Sequence, residues 1–287
     1  MEFPTPIRRD LHFALPAERV QNWHGQGVHV SQFFNTMSLY FPEGEKFFIS
    51  SVRHYRDRVT DPTLQAAVSG FIGQEAMHGR EHAEFNLLME QSGLPAASVE
   101  KKSLDRLMIA KRIMPPSMHL SMTIALEHLT AIMAAHLLRT DAVMAGSHAA
   151  YARLWRWHAL EETEHKAVAF DVWKTVMPNT LGSYLKRIWG LISTSLHFWI
   201  LTAIFHWQMV RAIPAARRES HWRGYGRLLK FLFISPGAWI ALAPAWFAYF
   251  KPGFHPWQHD NRAVLGELDA LTLAVSSAAI PPNIVSD

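Results

Sequence analysis

The sequence predicts an all-α protein, built on a four-helix bundle with additional apolar helices at its C-terminal end. Three observations predict it. Long stretches carry helix start and stop signals and no persuasive strand alternation. Four of these stretches are long and joined by short connections, as in a bundle. A Glu-x-x-His motif occurs twice, and each of two other predicted helices places a Glu among apolar residues.

The elements follow from local signals. Glu43–Arg58 reads as a helix opened by Pro42. Asp61-Pro62 reads as an N-cap with proline in the first turn, and Gly93 as the stop, giving a helix of about 30 residues, about 45 Å long. Pro115-Pro116-Ser117 opens the next helix, which runs to about Arg139. A fourth is expected as one unbroken helix from Ser147 to Val176, stopped by Pro178. Weaker signals place further helices over 183–211, 221–234, 238–250 and 260–277. The whole chain, 1–287, is expected to form one domain, with a two-metal core over 30–178. The extension over 179–287 would pack on that core or on a membrane.

Composition narrows the function. Of 287 residues, 49% are hydrophobic and 18% charged, with 17 Phe and 11 Trp, which excludes a disordered, solvated chain. The absence of cysteine excludes disulfides, thiolate metal sites and thiol nucleophiles. A net charge of +4 is too small to read as a nucleic-acid signal. The N-terminus lacks the apolar run of a secretory signal, so a cytoplasmic protein is expected. Ile188–Phe205 and Phe231–Phe250 carry no charged residue, while Arg211–Lys230 holds six basic residues and one acid. These segments suit burial first and peripheral membrane contact second.

The chemistry lies in the spacing. Glu75-x-x-His78 and Glu162-x-x-His165 each place two donors on one helix face, within reach of one metal ion. Glu45 and Glu127 supply one carboxylate each from the other two helices. The order Glu, Glu-x-x-His, Glu, Glu-x-x-His is the two-metal carboxylate pattern of ferritin-like bundles. At about 100° per residue, His82 joins Glu75 and His78 within a ~60° sector, and His158 joins Glu162 and His165. Glu161 sits at the edge of that sector, as an outer or alternative ligand. Glu164 points away and is expected to be dispensable for metal binding. His128 is a candidate to orient a ligand from outside. Four carboxylates balance two divalent ions, and imidazole with carboxylate suits iron, with manganese or zinc as alternatives.

The stretches FPEGEKFF, FIGQEAMHGREHAEFN, WHALEETEHKAVAFDVW and YFKPGFHPWQHDN resemble the bacterial family labelled predicted metal-dependent hydrolase, over about residues 30 to 262. His158-x-x-x-Glu162-x-x-His165 is also similar to the last metal helix of the di-iron arylamine N-oxygenases, with Glu45, Glu75, His78 and Glu127 matching their other ligands in order. His82 departs from that second pattern. The second resemblance implies a non-haem di-iron oxygenase, and the Trp- and Phe-rich C-terminal segments, which lie outside that match, suggest an apolar organic substrate. Glu75 and Glu162 would bridge two Fe ions held also by Glu45, Glu127, His78, His82, His158 and His165. O2, a reductase or ferredoxin, and a second copy of the chain are the expected partners; the chain has no Gly-rich nucleotide fingerprint of its own. A dinuclear hydrolase is the first alternative, and a ferroxidase-like or non-enzymatic iron protein the second.

Overall fold

The computed structural model describes residues 4–237 and 239–278. Among these residues there are eleven α-helices, short 3-10 turns and no strand. The helices are α1 (Val28–Ser38), α2 (Phe41–Arg53), α3 (Pro62–Gln91), α4 (Ala96–Ile113), α5 (Pro116–Arg139), α6 (Ala149–His165), α7 (Val168–Val176), α8 (Leu181–Ala212), α9 (His221–Phe233), α10 (Ala243–Ala248) and α11 (Glu267–Ala278).

Helices α2, α3, α5 and α6 pack around one buried polar centre, with α2 against α3 and α5 against α6. α1 runs almost directly into α2 through Leu39 and Tyr40, both still right-handed. Pro42 accounts for the interruption, since it lacks an N–H and its ring crowds the carbonyl four residues back. α3 begins where the sequence signals it: Asp61 accepts a hydrogen bond from Thr63 N at 3.0 Å. It ends just before Gly93, whose φ of +89° is the left-handed stop that favours glycine.

The expected unbroken helix over 147–176 is instead two, α6 and α7, parted at Lys166–Ala167. The break coincides with a tether. The buried Lys166 ammonium donates to His259 O at 2.7 Å and Asn261 Oδ1 at 2.5 Å, and lies over the Trp257 ring. The 238–250 and 260–277 helices are shorter than expected, because 3-10 turns occupy 239–242 and 262–266. Two further helices were not expected from the sequence, α1 and α4.

α8 lies across α5 and α1. The crossing on α5 is close at Gly190, where an added Cβ would come within 2.2 Å of Ser121 Oγ. By length and apolarity alone, α5 and α8 match membrane-crossing helices. α5, however, buries Glu127 and His128 in the protein interior. Phe231–Phe250 does not form one span, since it turns at Ser235–Pro236 and continues as short helical pieces.

Candidate metal centre

Glu45 on α2, Glu75 and His78 on α3, Glu127 on α5, and His158, Glu162 and His165 on α6 converge in the middle of the bundle, each no more than 3% exposed. His165 Nε2 lies 3.2 Å from Glu75 Oε1, 3.6 Å from Glu127 Oε2 and 3.6 Å from Glu162 Oε1. His158 Nε2 lies 3.2 Å from Glu162 Oε1, and His78 Nδ1 lies 3.9 Å from the same oxygen. Three overlapping groups are each tight enough to hold one metal ion: Glu45 with His78 and His158, Glu75 with His78 and Glu162, and Glu75 with Glu127 and His165. Gly79 makes room for Glu45, because a Cβ there would sit 3.0 Å from Glu45 Oε2.

The donor set fits a cation. Both oxygens of Glu45, Glu75 and Glu127 are buried without a hydrogen-bond donor, as are Glu162 Oε2, His78 Nδ1 and His165 Nε2. A buried polar atom left unpaired costs about 1–3 kcal/mol, and more when charged. Without a cation, burial pushes the carboxyls of Glu45, Glu75 and Glu127 well above their usual range, and neighbouring carboxylates push them further. Burial also opposes ionisation of Glu162, but His165 and His158 outweigh it and hold that carboxyl low. Burial depresses His78 and His82, with His158 adding to the effect. Metal binding needs neutral imidazole and ionised carboxylate.

Outer hydrogen bonds decide which ring nitrogen each histidine presents. Gln74 donates its Nε2 to Ile7 O at 3.1 Å and to Glu164 Oε2, so its Oε1 is the acceptor facing His165 Nδ1 at 2.8 Å. His165 therefore carries its proton on Nδ1, and the Nε2 lone pair faces the centre. Ser38 donates its hydroxyl to Asn86 Oδ1 at 2.7 Å, so it accepts from His82 Nδ1 at 2.8 Å. That leaves His82 Nε2 as acceptor for His158 Nδ1 at 2.9 Å, and frees His158 Nε2 for the centre. Glu161 Oε2, 3.1 Å from His78 Nε2, accepts a hydrogen bond from that N–H and leaves His78 Nδ1 free. This is how proteins commonly fix metal-binding imidazoles.

His82, expected among the ligands, thus stands outside the three donor groups, with both ring nitrogens engaged. Glu161 lies outside them too, and burial pushes its carboxyl up to about 8 against the pull of Arg9. Glu164, expected to point away, is buried and holds Gln74. His128 bonds Ala245 O at 3.1 Å, so it fastens α5 to the C-terminal segment instead of orienting a ligand. The residues sequence reasoning missed are Arg9, Ser38 and Gln74. Arg9 donates to Glu161 Oε1 at 3.1 Å and to Glu164 Oε2 at 2.8 Å. It sits between Arg8 and Asp10 in the sequence, and these contacts lie more than 150 residues away, so it leaves no local signal.

An apolar cavity of about 60 Å³ reaches the centre at His158 and Glu162. Phe33, Phe34, Met37 and Phe41 line one side, and Met133, Leu137, Trp155 and Trp239 line others. Thr130 and His136 add polar atoms, and His136 Nε2 already pairs with Pro236 O at 3.1 Å.

No curated protein and no solved structure matches the chain. A family model described as predicted metal-dependent hydrolase matches residues 7–260, which takes in the arm bearing Arg9, every donor above and Lys166. The chain therefore belongs to the predicted metal-dependent hydrolase family.

Proposed function

We propose that the chain is an enzyme whose dinuclear metal centre activates dioxygen and oxidises an apolar organic molecule. The observation that supports this reading is the apolar cavity ending at His158 and Glu162. Two iron ions bound among these carboxylates and imidazoles would supply the redox capacity for the reaction. Glu127 and His165 would hold one ion and Glu45, His78 and His158 the other, with Glu75 and Glu162, one from each motif helix, between them. Gln74, His82 and Glu161 keep the three imidazoles turned toward the ions. The phenylalanine and tryptophan walls exclude water and hold substrate by buried apolar area, at about 25 cal/mol per Å². Electrons would come from a reductase or ferredoxin.

A second reading, hydrolysis, has its own support. The description of the family the chain belongs to names a metal-dependent hydrolase, which favours this reading. Zinc or manganese in the same donors would supply an activated water. The cavity argues the other way, since its walls offer few donors to orient a polar scissile bond.

One experiment separates the two. Protein reconstituted anaerobically with ferrous iron, or with zinc or manganese, is given apolar candidate substrates and an ester panel. Substrate-dependent O2 uptake by the iron form supports oxidation. Metal-dependent ester cleavage without O2, with no O2 uptake by the iron form, replaces it with hydrolysis.

A further inference from the structure

α8 leaves one face uncovered. Eight large apolar side chains from Leu181 to Trp207 are exposed along it, Leu181, Trp189 and Leu196 by more than 60%. They fall within a sector of about 140° on the helix, over about 40 Å. Soluble monomers rarely expose so long a continuous apolar surface without a use for it. The other face of the same helix is packed into the protein, through Leu191, Phe205 and Met209. α8 is thus fixed in place with its apolar stripe outward.

Charge and aromatic placement identify what covers the stripe. α8 contains no Asp or Glu, and the segment that follows holds six basic residues and one acid. Arg211, Arg217, Arg223 and Lys230 are exposed and have no carboxylate partner among the described residues. Glu219, the acid, already pairs with Arg227 at 3.0 Å. Trp207 lies beside this segment under the Arg211 guanidinium at 4.6 Å, and Trp222 within it is 91% exposed. An apolar stripe ending in tryptophan and clustered cations matches the interface of an anionic bilayer, where each Lys or Arg near the surface adds binding. The repeat along the stripe averages about 3.7 residues, nearer the 3.6 of a straight helix on a flat surface than the 3.5 of a coiled-coil seam. A second copy on the same face would also bring the same unpaired cations with it.

We propose that α8 and the basic segment Arg211–Lys230 dock the protein flat onto an anionic phospholipid membrane. Trp199, next to Ile200 in the sequence, packs its ring 4.1 Å from that of Trp239 in the wall of the apolar cavity, so the docked face adjoins the cavity.

The test is flotation of the full-length, metal-loaded protein with vesicles of phosphatidylcholine alone or mixed with phosphatidylglycerol. Binding is expected to the mixed vesicles and to weaken with salt. Arg217→Glu, Arg223→Glu and Lys230→Glu together should weaken it about a hundredfold. Leu196→Ser with Ile200→Ser should weaken it by roughly tenfold or more. In the unaltered protein, brominated lipid should quench tryptophan fluorescence, and Trp189→Phe should reduce that quenching. No binding to the mixed vesicles would overturn the proposal. So would bound protein that brominated lipid does not quench, or a stable dimer in sedimentation that the Leu196→Ser/Ile200→Ser pair dissociates. Metal content measured in the same samples reports on the centre separately.

Discussion

His82 Nε2 accepts a hydrogen bond from His158 Nδ1 at 2.9 Å, and this contact turns the other nitrogen of His158 toward Glu162. The proton order runs from His158 through His82 and Ser38 to Asn86. His82 thereby acts through His158, as a positioning residue. Replacing His82 with Ala should weaken metal affinity about 10- to 100-fold while leaving the stoichiometry attainable at high metal. Ser38→Ala should act in the same direction by less. His158→Ala should prevent full loading. Competition against a calibrated chelator separates the three, and a His82→Ala variant as deficient in loading as His158→Ala would return His82 to the ligand set.

Arg9 and Gln74 play the matching part for His165. Gln74→Leu removes the acceptor that fixes the His165 proton and should weaken metal binding by a similar factor. Arg9→Ala strands the buried Glu161 and Glu164 carboxylates without their cation. It should cost roughly 3 kcal/mol in urea unfolding. Glu164→Gln should also lower metal affinity, contrary to what its position off the ligand sector suggests. Unchanged affinity in Glu164→Gln would mean that Gln74 is held without it.

Removing metal should destabilise the protein, and increasingly so as pH rises. In the metal-free state, burial raises the carboxyls of Glu45, Glu75 and Glu127, so the folded chain keeps protons that the unfolded chain has lost above about 4.5. Stability therefore falls as pH rises through that range. The depressed His78 and His82 act oppositely, and their contribution is lost as pH falls below about 6.5. Above pH 6.5 the carboxylate effect continues; the buried Lys166, lowered to about 7 by burial, acts oppositely in that range, with or without metal. From about pH 6.5 upward the Tm of chelated protein should fall progressively further below that of metal-loaded protein. Parallel Tm curves in calorimetry would contradict a centre neutralised by cations.

Filling the cavity should separate binding from metal loading. Ala134, on the cavity wall and 5% exposed, leaves room that Leu would occupy. Ala134→Leu should keep the metal content and raise KM about tenfold or more for an apolar substrate, at a stability cost of about 1–3 kcal/mol. An unchanged KM would place the substrate elsewhere.

The donor residues were legible because helical periodicity carries them: residues three or four apart share a face, and four such faces in order imply a common interior. What surrounds them was not. α1, VHVSQFFNTMS, is buried along its whole length and rich in β-branched and small polar residues, so it shows neither an apolar stripe nor strong helix propensity. α4 exposes Met108, Ile109 and Ile113, so its apolar residues do not mark a core-facing side. The α6–α7 break coincides with Lys166 reaching His259 and Asn261 more than ninety residues on, and Arg9 reaches Glu161 across an even longer separation. Such contacts belong to tertiary structure and have no period to read.

The most direct measurement is metal content per chain, by elemental analysis of the folded protein after reconstitution, for the unaltered chain and for Glu162→Ala. About two ions per chain, with loss of both in Glu162→Ala, is the result that a centre bridged from α6 predicts. Fewer than one ion in the unaltered chain, or full loading of Glu162→Ala, would contradict it.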